Sequence, residues 1–431
     1  MSITKSLRFV TGALLTGALV FSPEAAASAD QVRDAQWVLN ELNMEDVWKI
    51  TKGEGVTVAV IDEGFDRGHP DLKKNVISLK DFSNGAPLSD EERHHGTHMA
   101  SLIAGHGHGV GNSEGVIGLA PEAELILVRR GEKNGNELSE SIEYAVDQGA
   151  KIINISLGGP SWRREEAEAV EYALSKGVLI VAPSGNSGNS SKEYPGAYPG
   201  VLAVGGVDKS GEVWEWANYG PHVLLSAPAV ENVSAGGNNS PYSKTSGTSD
   251  SSAYVSATAA LVWSEHPDLS PGQVVNRLTE TAGLPDSAKG ISLPDEKYGY
   301  GYIRPLNALT EDIPAGSKYG PLTVPDSLQS PSPEPAGGSD SEDKVNNTLK
   351  RIMVFLVAPV LLLLVIGLVI FAVVRSSRRK KRSAPVGVGW GEGPQAQQPP
   401  YGQPMPPGNA GGFPPQQQGP NQNQPSGPWG P

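Results

Sequence analysis

The sequence predicts an α/β fold of three layers, a mostly parallel central sheet flanked by helices, with one C-terminal transmembrane helix. Three observations predict it. Over residues 55–310, short apolar segments alternate with amphipathic segments of helical period. That is the pattern of strands buried on both faces and joined by crossover helices. The 431 residues include no cysteine, so a sizeable core rather than disulfides must hold the fold. Residues 352–374 form an uncharged apolar run, long enough to cross a bilayer.

In chain order, Lys5 and Arg8 precede an apolar run from Val10 to Phe21 and then Ala27-Ser28-Ala29. This is the layout of a secretory signal peptide, assigned to residues 1–29. Residues 30–54 form an N-terminal extension, helical in pattern around Trp37–Leu42 and Met44–Trp48, and a candidate to block a site in the domain that follows. The domain is assigned to residues 55–310. Strands are expected at Val56–Ile61, Leu125–Val128, Ile152–Ile155, Leu179–Ala182, Val201–Val204 and Val223–Ala227. Helices are expected at His95–Ala104, Leu138–Gln148, Arg163–Ser175, Ala253–His266 and Pro271–Thr281. Residues 105–118 read as a glycine-rich loop.

Pro, Ser, Gly and acidic residues dominate residues 311–351, which read as a flexible, partly extended linker. The span 352–374 follows. Residues 375–382 carry six Lys and Arg, against Lys350 and Arg351 on the other flank. That excess places the C-terminal side in the cytoplasm, and the signal peptide places the domain outside the cell membrane. Beyond the basic flank, the Pro/Gly/Gln-rich remainder of residues 375–431 reads as a disordered cytoplasmic tail with Glu392 its one charged side chain. It is either a solvated tail or a ligand for a proline-recognising partner. The net charge is −13 and the one strong basic cluster lies beside the span, so no nucleic-acid partner is expected.

Several residues have the chemistry of a site. Asp62 ends an expected strand, the edge of an open α/β sheet where ligands and catalytic groups gather. His95 begins an expected helix beside a Gly-Thr pair that permits close packing. Ser249 lies in a Gly-Thr-Ser triplet at the start of a small-residue helix with Val255, Ala259 and Val262 on one face. Unpaired N–H groups there favour negative charge. Asn186, in Ser184-Gly185-Asn186-Ser187-Gly188, follows a strand on a tight loop and can donate to an oxyanion. Ser156, Leu157 and Gly158 leave a strand with their backbone free to pair with an extended substrate. Each has a plainer reading, as a cap, a turn or a core residue. A rival site also exists, because five of the eight histidines fall between His94 and His108. His94 and His98 are spaced to share a zinc ion on a helix, but the glutamate of a His-Glu-x-x-His site is missing. His106 and His108 sit in the glycine-rich stretch with no carboxylate evident beside them, and no metal site is assigned.

Aspartate, histidine and serine in this order, with an asparagine donor, form one of the known triad orders. With the surrounding motifs, the chain resembles the subtilases, the subtilisin-like serine peptidases. VAVIDEGFDRGHPDL (58–72), HGTHMA (95–100) and SGTSDSS (246–252) look like the three catalytic motifs. SGNSG (184–188) looks like the oxyanion block and SLGG (156–159) like the substrate-pairing segment. GVIGLAPEA (115–123) and GYIRPLN (301–307) are weaker marks. The resemblance covers roughly residues 35–310. It implies a subtilisin-like fold and cleavage of protein or peptide substrates through an acyl-enzyme. Ser249 would be the nucleophile, His95 the base, Asp62 its orienting partner and Asn186 an oxyanion donor. His98 belongs to the motif without a catalytic role. No cofactor is required, and the structural calcium common in the family is not assignable to any residues here. Departures are Asp250 after the nucleophile, where a charge could alter substrate preference, and Ala253-Tyr254 where Pro-His is common.

The Trp-bearing extension, proline-rich linker and single span are similar to the mycosins, the membrane-anchored subtilases of type VII secretion systems. That implies the membrane complex of such a system as a partner. The absence of cysteine and the long tail depart from that group. The alternatives are a general cell-surface subtilase unconnected to secretion, and a secretion-complex scaffold whose catalysis is dispensable.

Overall fold

In a computed structural model, the described residues are 31–329, apart from Asn84, Leu88, 132–136 and 237–239. They all lie in the first of two units of the chain, Met1–Pro333. The expected signal peptide, membrane span and cytoplasmic tail fall outside the described residues. Among the described residues, no helix is long and apolar enough to cross a membrane.

Two short helices come first, α1 (Trp37–Glu41) and α2 (Met44–Val47). The central sheet is built from β1 (Thr57–Asp62), β2 (Val76–Asp81), β5 (Glu124–Arg129), β6 (Ile152–Ile155), β7 (Leu179–Pro183), β8 (Val201–Val207) and β9 (Val223–Pro228). Its order is β2-β5-β1-β6-β7-β8-β9 and every pairing is parallel. Alternate side chains feed two cores. Val58, Val60, Leu125, Leu127 and Val181 enter one, Ala59, Ile61, Ile126, Val128 and Ile180 the other. A strand apolar on both faces reads as a continuous run, which is why six of these strands are visible in the sequence. The seventh, β2, was not expected. It lies at the sheet edge and its exposure alternates along Val76–Asp81, so it has no apolar run.

The first core is covered by α3 (Asp90–Ala104) and α6 (Thr248–Glu265), the second by α4 (Glu137–Asp147) and α5 (Arg164–Ser175). Helix α6 starts five residues earlier than expected, and it is not one-faced. Its residues are buried from Asp250 to Trp263, so small Ala, Ser and Thr side chains let it run through the interior. Helix α7 (Pro271–Glu280) has a capping box, with Ser270 accepting from the Gln273 N–H and Gln273 accepting from the Ser270 N–H. Helix α8 (Pro305–Thr310) closes the domain.

Residues 105–118 are not a plain loop. They form an antiparallel pair, β3 (His106–His108) and β4 (Glu114–Ile117). A second pair, β10 (Asn232–Ala235) and β11 (Tyr242–Thr245), lies just before α6. Both pairs are too short and polar to give an alternating apolar signal. The first part of the expected linker is also fixed. Leu322 is buried in the core, and Arg277 donates to the carbonyls of Ala308, Glu311 and Ile313.

Candidate active site

The C-terminal ends of β1, β6 and β7 and the N-terminus of α6 meet at one cleft of about 550 Å³. His95, Ser156, Leu157, Gly158, Asn186 and Ser249 all line it. The sequence scatters these residues over more than 150 positions, and the parallel sheet gathers them because its strand ends lie side by side.

Asp62, the last residue of β1, is wholly buried. Its Oδ1 accepts from the Glu63 N–H at 2.7 Å and lies 2.8 Å from His95 Nδ1. His95 stands near the middle of α3, because the helix begins at Asp90, not at the histidine. Gly96 lets the helix come this close. A Cβ there would fall 2.6 Å from the Phe65 ring and inside contact distance of the Gly64 carbonyl oxygen. The charge of Asp62 raises the pKa of His95 to about 9, against the lowering effect of burial, and the charges of Asp250 and Glu63 add to it.

Ser249 is the second residue of α6. Its hydroxyl points at the Ser156 carbonyl oxygen, 3.4 Å away, and no hydrogen bond joins it to His95 in this arrangement. Behind it lies a polar network that the sequence did not reveal. Ser252 Oγ donates to the Ser249 carbonyl at 2.8 Å. Asn154 donates to Ser156 Oγ at 2.8 Å and accepts from Ser256 Oγ at 2.9 Å. These bonds tie the end of β6 to the first turns of α6 and fix the backbone of Ser249.

Asn186 Oδ1 accepts from the Thr248 N–H at 2.9 Å and the Thr248 hydroxyl at 2.8 Å. That holds the amide by its oxygen and leaves its NH2 group at the cleft. Gly185 precedes it at φ +112°, a conformation open to glycine. Thr248 therefore orients Asn186, a role that its place beside Ser249 hinted at but did not fix.

Three expectations are corrected here. Asp250 does not face the cleft. It is buried in the opposite direction, accepting from Asn232 Nδ2 at 3.0 Å and Thr245 Oγ1 at 2.8 Å, and burial raises its pKa to about 6. It can act on His95 through its charge but not on a substrate by contact. The extension does not cover the site either. Arg33 donates to Gly115, Gln36 to Ile117, Trp37 to Val230 and Trp48 to Leu119, and none of residues 31–54 lines the cleft. Finally, His108 does have carboxylates beside it. Its Nδ1 is 2.5 Å from Asp71 and its Nε2 3.5 Å from Glu114.

The zinc alternative finds no support in the placement of His94 and His98. Their rings stack at 6.4 Å, and His98 Nε2 is engaged by the Gly236 carbonyl at 2.7 Å and by Ser243 Oγ at 2.9 Å. Burial lowers the pKa of His98 to about 4. Among the described residues, no three His, Asp or Glu side chains are grouped to hold a metal ion.

A family model described as "Subtilase family" matches residues 53–301. The chain is 37% identical over 234 residues to the thermostable alkaline protease of Halalkalibacterium halodurans, covering 53% of this chain and 63% of the relative's length. It thus spans less than two thirds of that relative. Among solved structures it is similar to MycP1 from Mycobacterium smegmatis, with TM-score 0.55 and 29% identity over 67% of this chain and 88% of the other. It is likewise similar to MycP1 from the ESX-1 type VII secretion system, with TM-score 0.56 and 30% identity over 66% and 88%.

Proposed function

The chain belongs to the subtilase family, and from that premise we propose that it is a membrane-anchored serine endopeptidase. It cleaves protein or peptide substrates outside the cytoplasm. The observation that carries this reading is the 2.8 Å contact between Asp62 and His95 at a cleft that also holds Ser249 and Asn186.

In this reading Ser249 Oγ attacks the scissile carbonyl carbon while His95 Nε2 takes its proton. The hydroxyl, which points at Ser156 here, turns to His95 when substrate binds in this reading, since such bonds are often loose until substrate is present. Asp62 holds His95 in the right tautomer and stabilises the imidazolium. The oxyanion sits between the Asn186 NH2 group and the Ser249 N–H, one of the unpaired donors at the start of α6. His95 then gives the proton to the leaving amine, and the acyl group stays on Ser249 as an ester. Water deprotonated by His95 releases the acid and restores the hydroxyl. The backbone of Ser156, Leu157 and Gly158 aligns the substrate as an added strand.

The anchor rests on the apolar run 352–374 and its basic flank, which give a single-pass topology with the tail in the cytoplasm. The link to type VII secretion rests on the likeness to MycP1 and the mycosin-like layout of the sequence. The direct test is labelling of the full chain with a fluorophosphonate probe beside Ser249→Ala and His95→Ala. The expected result is labelling of the natural chain alone. A folded natural chain that takes no probe overturns the peptidase reading. For the secretion link, export of small secreted proteins is expected to fail on deletion of the gene.

A further inference from the structure

The cleft extends from the nucleophile into a slot whose walls have no side chains. One wall is Gly158, two residues beyond the Ser156 carbonyl that touches Ser249 Oγ. The other is Gly185, next to Asn186. Between them lies the carboxylate of Glu193. A Cβ on Gly158 would be 2.7 Å from Glu193 Oε2, and a Cβ on Gly185 would be 2.6 Å from Glu193 Oε1. Both walls are therefore glycine where the carboxylate needs the room.

The carboxylate is held there by backbone pairing. Gly159 and Tyr194 exchange two hydrogen bonds, at 3.0 and 2.8 Å, which set Glu193 beside Gly158. Asn218 Nδ2 donates to Oε1 at 3.3 Å. Among the described residues Oε2 has no donor, and no Lys or Arg pairs with the group. Of the other charges of the cleft, Arg130 acts on Glu166 through its charge, and its Nε has no hydrogen-bond partner among the described residues. Arg163 faces Glu166 at 3.8 Å, and Glu166 accepts from Tyr198. A half-buried carboxylate without a cation is an unfinished ion pair, because burial removes water that would otherwise solvate the charge.

We propose that Glu193 is the specificity-determining residue of the cleft, selecting substrates with lysine or arginine at the residue whose carbonyl is attacked. This rests on the peptidase reading and names its substrate class. In the peptidase reading the substrate strand lies along Ser156, Leu157 and Gly158 with its reacting carbonyl at Ser249 and Asn186, so the side chain that meets the slot at Gly158 and Gly185 is that of the residue whose carbonyl is attacked. A cationic end reaching Glu193 completes the pair that the protein leaves open. An acidic side chain meets a like charge, and an apolar one strips water from Glu193 with nothing in return.

The test uses the full chain and matched fluorogenic peptides that differ at that one position, carrying arginine, lysine, norleucine or glutamate. The readout is the ratio of kcat/KM values. Arginyl and lysyl peptides are expected to exceed norleucyl by roughly 10- to 100-fold, the worth of a charge-assisted hydrogen bond in a partly solvated site. In Glu193→Gln, which keeps the shape and the Asn218 contact, that ratio falls to about one. In Glu193→Lys, glutamyl peptides overtake lysyl ones. The preference in the natural chain also fades as pH falls, earlier than an ordinary glutamate would dictate, since burial raises the pKa of Glu193. A natural chain that takes the fluorophosphonate probe yet cuts norleucyl peptides as fast as arginyl ones overturns the role of Glu193 and leaves the peptidase reading standing. So does a ratio unchanged in Glu193→Gln. A chain that takes no probe and cuts no peptide overturns both.

Discussion

Two aspartate–histidine pairs lie in this molecule. In both the carboxylate is wholly buried and the histidine about one third exposed, and in both Nδ1 meets Oδ1 at short range, 2.8 Å for Asp62–His95 and 2.5 Å for Asp71–His108. Their surroundings differ. Asp62 Oδ2 has no hydrogen-bond partner, and the ring of His95 stands at the cleft with Ser249. Asp71 spends its second oxygen on the Val116 N–H at 2.9 Å, its backbone N–H meets His69 Nδ1, and the free side of His108 faces Glu114. The first pair opens on the cleft that Ser249 also lines, and the second pins the β3–β4 ribbon to the loop before β2. An Asp–His contact alone therefore says nothing about catalysis. What matters is what the far nitrogen of the ring can reach.

Exchanging each aspartate for asparagine gives the sharpest test of that contrast. Asp62→Asn is expected to lower turnover by about 10⁴-fold, because the amide favours the wrong tautomer of the histidine. Asp71→Asn is expected to leave turnover near that of the natural chain and to destabilise the fold by about 1–3 kcal/mol, the range for an unsatisfied buried polar group. Peptide turnover and chemical unfolding, measured side by side on both variants, decide it. Equal losses of turnover would end the distinction.

A smaller effect is expected at Gly96. Its missing side chain lets α3 bring His95 to Asp62, whereas at the Asp71–His108 pair the room is made by Gly115 of β4, where a Cβ would fall against the Asp71 carboxylate. Gly96→Ala sets a methyl group against the Phe65 ring, 2.6 Å from its nearest carbon. Overpacking of this kind costs about 1–3 kcal/mol. Turnover should fall with stability here, unlike in Asp71→Asn, because the strain displaces the His95 ring from Asp62. Retained turnover in a destabilised Gly96→Ala chain would show that the helix has room to give.

The two pairs were not equally legible in the sequence. Asp62, His95 and Ser249 each sit in a motif at a strand end or helix start, and short apolar runs locate the strands that carry them. Asp71–His108 joins residues 37 apart through a ribbon with no periodic signal, so the stretch around His106 and His108 reads as loop. Glu193 is hidden for the same reason. It touches Gly158 and Gly185 through a loop whose path no local pattern encodes. The direction of Asp250 is not legible in the sequence, because position along a helix gives adjacency to Ser249 but not the side of the helix that meets β10 and β11. Local pattern fixes elements, and polar contacts between distant loops depend on the assembled sheet.

The smallest expected effect separates the pairs by charge. A base must be unprotonated, so with the pKa of His95 raised to about 9, kcat/KM should climb with pH and level off only above that value. The charge of Asp62 is the main cause, and Asp250 adds to it from the far side of the site. Asp250 has its own pKa raised to about 6 by burial, so it is ionised across the range in which His95 titrates. Asp250→Asn removes that negative charge while keeping an oxygen to accept from Thr245 and Asn232. With less negative potential the imidazolium is less stable, the pKa of His95 falls, and the rising limb moves to lower pH by a fraction of a unit. Asp71→Asn should leave the limb in place, because Asp71 is not among the leading charges that act on His95. The pH dependence of kcat/KM for the natural chain and both variants is the measurement. A limb that stays fixed in Asp250→Asn would mean that the buried carboxylate is neutral, or screened from the histidine by the first turn of α6. A limb that moves in Asp71→Asn would join the two pairs into one electrostatic unit and dissolve the contrast between them.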